Sequence, residues 1–174
     1  MSELTQAQLK EVLRYEPDTG HFYWIKRISS RCKMDKPAGC IGGNYSDNYL
    51  IKQIKIFKKL YKQHRLAFLY MTGSFPRHEV DHVNGNSLDN CWINLRDIPH
   101  SINMQNFGKP NRNNKLGQLG VSLYRDSGKY SANISDKGKA IAIGVYDTID
   151  QASDAYFNAK FLLHEGMINE RFNA

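Results

Sequence analysis

The sequence predicts an α+β protein made of two modules, and three observations predict it. Helical and β-rich segments alternate over residues 1–108, which we take as the first module. Residues 120–166 contain three short β-rich segments, separated by turns with Gly, and then one helix with regular apolar spacing. Residues 109–119 are rich in Asn, Lys and Gly without an apolar period, which is typical of a linker. Residues 167–174 form a tail.

Within the first module the pattern predicts one amphipathic helix, several strands and a second helix. Residues 4–15 have helical apolar spacing and end in turn residues. Residues 21–26 are aromatic and predict a strand, whereas residues 29–48 predict mostly loop. Residues 49–61 indicate a strand pair or one long strand, and residues 63–71 indicate a helix.

Composition favours a folded protein with a polyanionic partner. Lys and Arg number 24 against 17 Asp and Glu, which gives a formal net charge of +7. No apolar run has the length of a signal peptide or a membrane span, so we expect an intracellular protein without membrane contact. The three cysteines form no CxxC pair, so we expect neither a disulfide framework nor a four-ligand zinc site.

Residues 80–106 contain side chains suited to metal-assisted hydrolysis of a phosphodiester. Asp81 offers hard carboxylate oxygens for Mg²⁺ or Mn²⁺, and His82 can accept a proton near neutral pH as a general base. Adjacent strand residues point to opposite faces, so a strand end or distorted turn is needed for both to serve one site. Pro99 can begin a helix, and that helix would contain Asn103.

This stretch resembles the HNH endonucleases, especially the phage and intron-encoded homing type. The matching residues are Asp81, His82, Asn84, Gly85, Asn86, Leu88, Asp89, Asn90, Asn94, Leu95, Arg96 and Asn103. The resemblance implies a ββα-metal finger at about residues 78–106, with Asp81 and Asn103 as ligands of one divalent ion. Mg²⁺ is expected, with Mn²⁺ as the alternative. It also implies His82 as the base that activates water and Asn94 as the residue that orients it.

Two features near this stretch are harder to assign. His100 is closer in type to the family's usual final His than Asn103 is, but it lies three residues earlier, so we interpret it as a supporting or surface residue. The segment at residues 64–67 also precedes the finger in such proteins, and its role does not follow from the sequence.

A basic run precedes the finger. Residues 52–65 contain six basic residues and no acidic one. Such a run alone is usually a solvated strand face, whereas beside a nuclease site it predicts contacts with backbone phosphates. The DNA-binding residues predicted in the first module are Lys52, Lys55, Lys58, Lys59, Arg65 and Arg96.

Residues 120–166 resemble the APETALA-type DNA-binding domain. The residues that carry this likeness are Gly120, Val121, Gly128, Lys129, Tyr130, Ala132, Ile134, Gly138, Lys139, Gly144, Asp147, Thr148, Ala152, Ala155, Tyr156 and Ala159. The resemblance implies a three-stranded antiparallel sheet that enters the major groove and one helix that packs behind it. The plant domains carry more Arg and Trp on the strands that face DNA, so the specificity is expected to differ here.

The strand pattern of this second module agrees with that role. Tyr130, Ala132 and Ile134 alternate with small polar residues, so we expect the apolar set to pack on the helix and the polar set to face DNA. Residues 111–140 hold six basic and two acidic residues, whereas residues 141–174 hold two basic and five acidic ones. The predicted contacts are Tyr124, Arg125, Lys129, Ser131, Asn133, Ser135, Lys137 and Lys139.

Taken together, the two resemblances imply a metal-dependent endonuclease that acts on double-stranded DNA. A monomer is favoured, because no heptad repeat is present, and a monomer with one finger would most simply nick one strand. The main alternative is a non-catalytic DNA-binding regulator with a structural finger. An enzyme that acts on RNA or branched DNA is a further alternative.

Overall fold

The computed structural model divides the chain into two compact units, Met1–Ile98 and Pro99–Ala174. The residues that it describes are 3–44, 49–105, 110, 113–125 and 127–164. Both units combine helices and strands, as expected of an α+β protein. Within these described ranges, no helix is long and apolar enough to cross a membrane.

The first unit begins with helix α1 (Gln6–Val12) and the antiparallel strand pair β1 (Leu13–Glu16) and β2 (His21–Trp24). Thr5 and Gln8 form a capping box at the start of α1, which satisfies backbone N–H groups that the helix leaves without partners. The prediction of a helix up to residue 15 was wrong for the last three residues. They pair with β2, and this tertiary pairing overrides a weak local helical preference.

Three further strands form an antiparallel sheet with β4 in its centre: β3 (Cys40–Asn44), β4 (Tyr49–Ile56) and β5 (Lys59–Lys62). The predicted strand pair at residues 49–61 is confirmed as the β4–β5 hairpin. The prediction of loop was wrong for β3, because its Gly-rich sequence gives little strand signal and its pairing with β4 makes it a strand.

Helix α2 (Gln63–Thr72) follows directly and confirms the prediction at residues 63–71. It ends at Gly73, whose left-handed φ of 84° suits a residue without a side chain. Leu66, Ala67 and Leu69 of α2 are buried in the core of the unit, together with residues of α1, β1, β2 and β4. Val80 of the next strand also packs against this core, and Leu95 belongs to it.

The remaining strands of the first unit are β6 (Glu79–His82) and β7 (Leu95–Ile98), which pair antiparallel. The loop between them ends in a 3₁₀ turn at Trp92–Asn94. The short helix α3 (His100–Gln105) comes after Pro99 and belongs to the second unit.

The second unit also contains strands β8 (Val121–Tyr124), β9 (Lys129–Asp136) and β10 (Lys139–Tyr146), followed by helix α4 (Ile149–Leu163). They form the predicted antiparallel sheet, with β9 in its centre and α4 packed against it. The predicted alternation along β9 is confirmed, since Ala132 and Ile134 are buried whereas Asn133 and Ser135 are exposed.

Two details of the second unit differ from the sequence-based expectation. Leu116 and Leu119 lie in the predicted linker, yet they pack against the core of this unit. The helical apolar spacing of α4 predicts that Leu163 is buried, but it is exposed, whereas Lys160 is buried with its ammonium over the Tyr156 ring. Burial lowers the pKa of Lys160 to about 8.

Candidate active site

Asp81 and His82 lie at the end of β6, and both side chains are buried. Asp81 is opposite Arg96 of β7, and His82 is opposite Leu95. Neighbouring strand residues point to opposite faces, but His82 is the last residue of its strand. The strand therefore ends at His82, which is where the alternation of side chains has to stop if Asp81 and His82 are to serve one site.

A chain of side-chain hydrogen bonds holds His82. Its Nε2 lies 3.1 Å from Oδ1 of Asn90, which is 1 % exposed. Asn90 Nδ2 donates to Gln63 Oε1 at 3.4 Å, and Gln63 Nε2 donates to the Ala38 carbonyl at 2.7 Å. The chain connects the candidate base to the first residue of α2 and to the segment before β3.

The direction of these hydrogen bonds determines which nitrogen of His82 carries the proton. A backbone carbonyl only accepts, so Gln63 presents its amide nitrogen to Ala38 and its oxygen to Asn90. Asn90 therefore donates to Gln63 and turns its own oxygen towards His82. Nε2 is then the protonated nitrogen in the neutral ring, and Nδ1 carries the lone pair that a general base needs.

Asn90 is itself fixed by distant parts of the first unit. The hydroxyl of Tyr15 donates to the Asn90 carbonyl at 2.7 Å. Burial raises the pKa of Tyr15, which keeps this hydroxyl protonated as a donor. Gly20 has a φ of +68°, and a Cβ there would collide with the backbone of Asn90 and Cys91. From the sequence, Asn90 was only one of the residues that match the HNH endonucleases, without a role of its own.

Asn94 fastens the loop between β6 and β7. Its Oδ1 accepts from the Asn84 backbone N–H at 2.8 Å, and its Nδ2 donates to the Asp89 carbonyl at 2.8 Å. Its own carbonyl accepts from the Val83 N–H at 2.8 Å. Asn94 therefore holds together the two sides of the loop that contains Asn90.

Asp81 forms a salt bridge with Arg96, which the sequence analysis proposed as a DNA contact. Arg96 Nε and Nη2 lie 2.9 and 2.8 Å from the same oxygen, Asp81 Oδ2. The salt bridge orients the carboxylate without using its second oxygen, Oδ1, for these two contacts. Arg96 therefore has a role in positioning Asp81, and its side chain is 28 % exposed.

His64 packs against His82 with its ring edge to face. The ring centroids are 5.3 Å apart and the planes are inclined at 79°. Burial, with smaller contributions from the charges of His82, Lys62 and Arg65, lowers the pKa of His64 to about 3. His64 is therefore neutral at physiological pH. The segment at residues 64–67 drew notice in the sequence, but nothing in it predicted that His64 packs against His82.

Asp81 offers one carboxylate to a hard divalent ion at this site. In the part of the chain that the structure describes, no three His, Cys, Asp or Glu residues form a group that could hold a metal. An ion bound by Asp81 would take its other ligands from amide, backbone or water oxygens, which suits Mg²⁺. Asn103 lies on α3, where its N–H donates to the Pro99 carbonyl at 3.0 Å. Its role as a ligand stays a prediction, and no role for His100 emerges.

Of the predicted DNA contacts in the first unit, some are exposed to solvent and others are engaged by the protein. Lys55, Lys58 and Lys59 are exposed, and Lys52 is half-buried. Arg65 donates to the carbonyls of Pro76 and His78, so it also has a structural role.

The predicted DNA contacts of the second unit are mostly exposed, among them Tyr124, Arg125, Lys137 and Lys139. Lys129 is paired with Asp147 at 2.8 Å, which raises the pKa of Lys129. The hydroxyl of Ser131 lies 2.9 Å from that of Ser122, on the neighbouring strand.

A family model of HNH endonucleases matches residues 61–105, from β5 through α2, β6 and β7 to α3. No curated protein and no solved structure matches the chain. The family match supports an HNH endonuclease and therefore a nuclease-type function on DNA. HNH endonucleases generally use a divalent metal ion. The matched region covers about a quarter of the chain and includes His64, Asp81, His82 and Asn94.

Proposed function

We propose that the protein is a metal-dependent DNA endonuclease, of the phage or intron homing type, in which His82 is the general base. The observation that carries this proposal is the hydrogen-bond chain from Ala38 through Gln63 and Asn90 to His82. It puts the proton on Nε2 and the lone pair on Nδ1, as a base requires.

In this mechanism Nδ1 of His82 accepts a proton from the attacking water, and Asn90 holds the ring in place. Asp81 would hold the ion, and Asn103 would be the second protein ligand, as proposed from the sequence. The ion, when bound, supplies positive charge that stabilises the phosphate and the leaving oxygen. Arg96 keeps the Asp81 carboxylate in one orientation, and Asn94 keeps the loop closed.

The second unit is proposed to bind double-stranded DNA through the polar face of its sheet, in the manner of APETALA-type domains. Asn133 and Ser135 are exposed on this face, Lys137 lies in the β9–β10 turn, and Lys139 follows the turn. Small polar side chains can contact base edges, whereas the lysines contact phosphates. Replacing Lys137 and Lys139 together by Ala should therefore reduce the slope of log affinity against log salt by about 2. An unchanged slope would remove this surface from the proposal.

The direct test of catalysis is nicking of a supercoiled plasmid with Mg²⁺ or Mn²⁺ and with chelator. Cutting should require the ion, and His82→Ala should lower the rate by about 10² to 10⁴ while DNA affinity is kept. Asp81→Ala should abolish cutting through loss of the ion. His78→Ala is the matched control, because His78 is exposed and makes its hydrogen bonds to Asp97 and Arg65 through its backbone.

The outcomes separate the proposal from its alternatives. Wild-type rates for His82→Ala, or full cutting in chelator, would contradict the mechanism. Tight DNA binding without cutting under any ion would favour the non-catalytic regulator. Cutting of RNA or of branched DNA in preference to linear duplex would favour the remaining alternative.

A further inference from the structure

The β4–β5 hairpin has an aromatic residue at its tip. Phe57 and Lys58 form the two-residue turn, with φ values of 47° and 70°. Such turns favour Asn-Gly, because side chains are disfavoured in left-handed backbone. Phe57 occupies this position with its side chain 53 % exposed, so its ring adds little to the core. A bulky ring in a strained and exposed turn indicates a role other than folding.

A cleft of about 790 Å³ lies beside this hairpin, and we call it the hairpin cleft. Its apolar lining includes Trp24, Ile28, Phe57 and Leu60. Leu60, like Phe57, is more than half exposed. Clefts that take up small ligands have volumes on the order of 300 to 1,000 Å³, so this cleft is large enough for a ligand with a flat apolar part.

The charged residues of the hairpin cleft are all basic. Arg31, Lys55 and Lys58 line it, and none of the described lining residues is acidic. A ligand that complements this lining has an aromatic part for the apolar wall and a negative charge for the rim. A nucleotide has both, and the lysines that continue along β4 and β5 would follow a phosphate backbone on either side of it.

We propose that the hairpin cleft takes up one unstacked nucleotide of the DNA substrate. The base stacks on Phe57 and contacts Leu60, and Lys55, Lys58 and Arg31 contact the adjoining phosphates. This inference rests on the proposed function in one respect, which is that DNA is the partner. It adds a binding site that lies on the β3–β5 sheet and its neighbours and is separate from His82 and Asp81.

The test compares two duplexes of the same sequence, one fully paired and one with a single unpaired nucleotide. Binding is measured in chelator, so that no cutting occurs. The unpaired base no longer has to leave a base pair, so the full-length protein should bind the bulged duplex about tenfold more tightly. Phe57→Ala should lose this preference, and Phe57→Trp should keep it. Leu60→Ala is a second variant at an exposed position and should weaken the preference.

Met71→Ala is the matched control, because Met71 is an exposed apolar residue of the same unit that does not line the cleft. It should keep the preference of the wild-type protein. Equal affinity of the wild type for both duplexes would overturn the proposal, as would a preference that survives in Phe57→Ala. Tighter binding of free deoxyadenosine monophosphate than of the bulged duplex would assign the cleft to a free nucleotide instead.

Cys40 offers a positional measurement, since it is exposed and lines the cleft. An unpaired base that carries a small-thiol mixed disulfide should exchange with the Cys40 thiolate, which forms a new disulfide and releases the small thiol. Cys40→Ser should abolish this cross-link, and its persistence would place the base elsewhere. Plasmid nicking by the wild type is scored separately, so a failure of the proposed nuclease function can be told from a failure of the cleft.

Discussion

Replacing His64 by Leu should make the first unit markedly less sensitive to acid. In the folded protein His64 has a pKa of about 3, compared with its ordinary value of 6.5. Between these values the unfolded chain binds a proton at this position and the folded protein does not, so stability falls as the pH falls. One pKa unit corresponds to about 1.4 kcal/mol. From pH 7 to pH 5, His64 should therefore cost the folded state about 2 kcal/mol, and His64→Leu should remove this loss.

The assay is urea unfolding at pH 7 and pH 5, followed by tryptophan fluorescence. Both tryptophans, Trp24 and Trp92, lie in the first unit, so the signal reports this unit alone. With a slope of about 2 kcal/mol per M, the wild-type midpoint should fall by about 1 M more than that of His64→Leu. His78→Leu is the control, since His78 is exposed.

The comparison does not depend on how much His64→Leu changes stability at pH 7, because only the change with pH is used. Equal midpoint shifts for the wild type and His64→Leu would refute the reasoning. In that case His64 would be protonated as easily in the folded protein as in the unfolded chain, and its burial would not keep it neutral.

Three further predictions concern the site, the second unit and the hairpin. Asn90→Ala should lower kcat for plasmid nicking by about 10 to 100 fold with little change in DNA affinity, because His82 loses its orienting partner; an unchanged kcat would exclude this role. Gly120→Ala should destabilise the second unit by at least about 1 kcal/mol, since the residue has a φ of +66° and an added Cβ would collide with the Tyr156 ring. Thermal unfolding followed by circular dichroism measures this, and an unchanged transition would contradict it. Phe57→Gly should stabilise the first unit by about 1 kcal/mol in urea unfolding, because Gly relieves the left-handed turn, and a loss of stability would show that the ring supports the fold.

The parts of the fold that sequence could predict are those with a strong local period. Helices α2 and α4, the β4–β5 hairpin and the alternation along β9 all have such a period, and the structure contains them. Strands β1 and β3 were not predicted, because each depends on pairing with a neighbour rather than on its own pattern.

The candidate site shows the same division. Residue chemistry pointed to Asp81 and His82 from the sequence alone, and the resemblance to HNH endonucleases added Asn94. The residues that hold Asn90 could not be found in this way, because Gln63 is 27 residues from Asn90 and Tyr15 is 75 residues from it. Only the fold brings these residues together, and nothing in their local sequence indicates a role at the site.

The tautomer of His82 is thus determined by the backbone of Ala38, which lies outside the region that matches the HNH family. A fragment limited to residues 61–105 would contain Asp81, His82 and Asn94 but would lack both Ala38 and the hydroxyl of Tyr15. Its imidazole could exchange its proton between the two nitrogens and rotate. The smallest part of the first unit that can hold His82 in one tautomer therefore begins before β1 ends, ahead of the region that matches the HNH family.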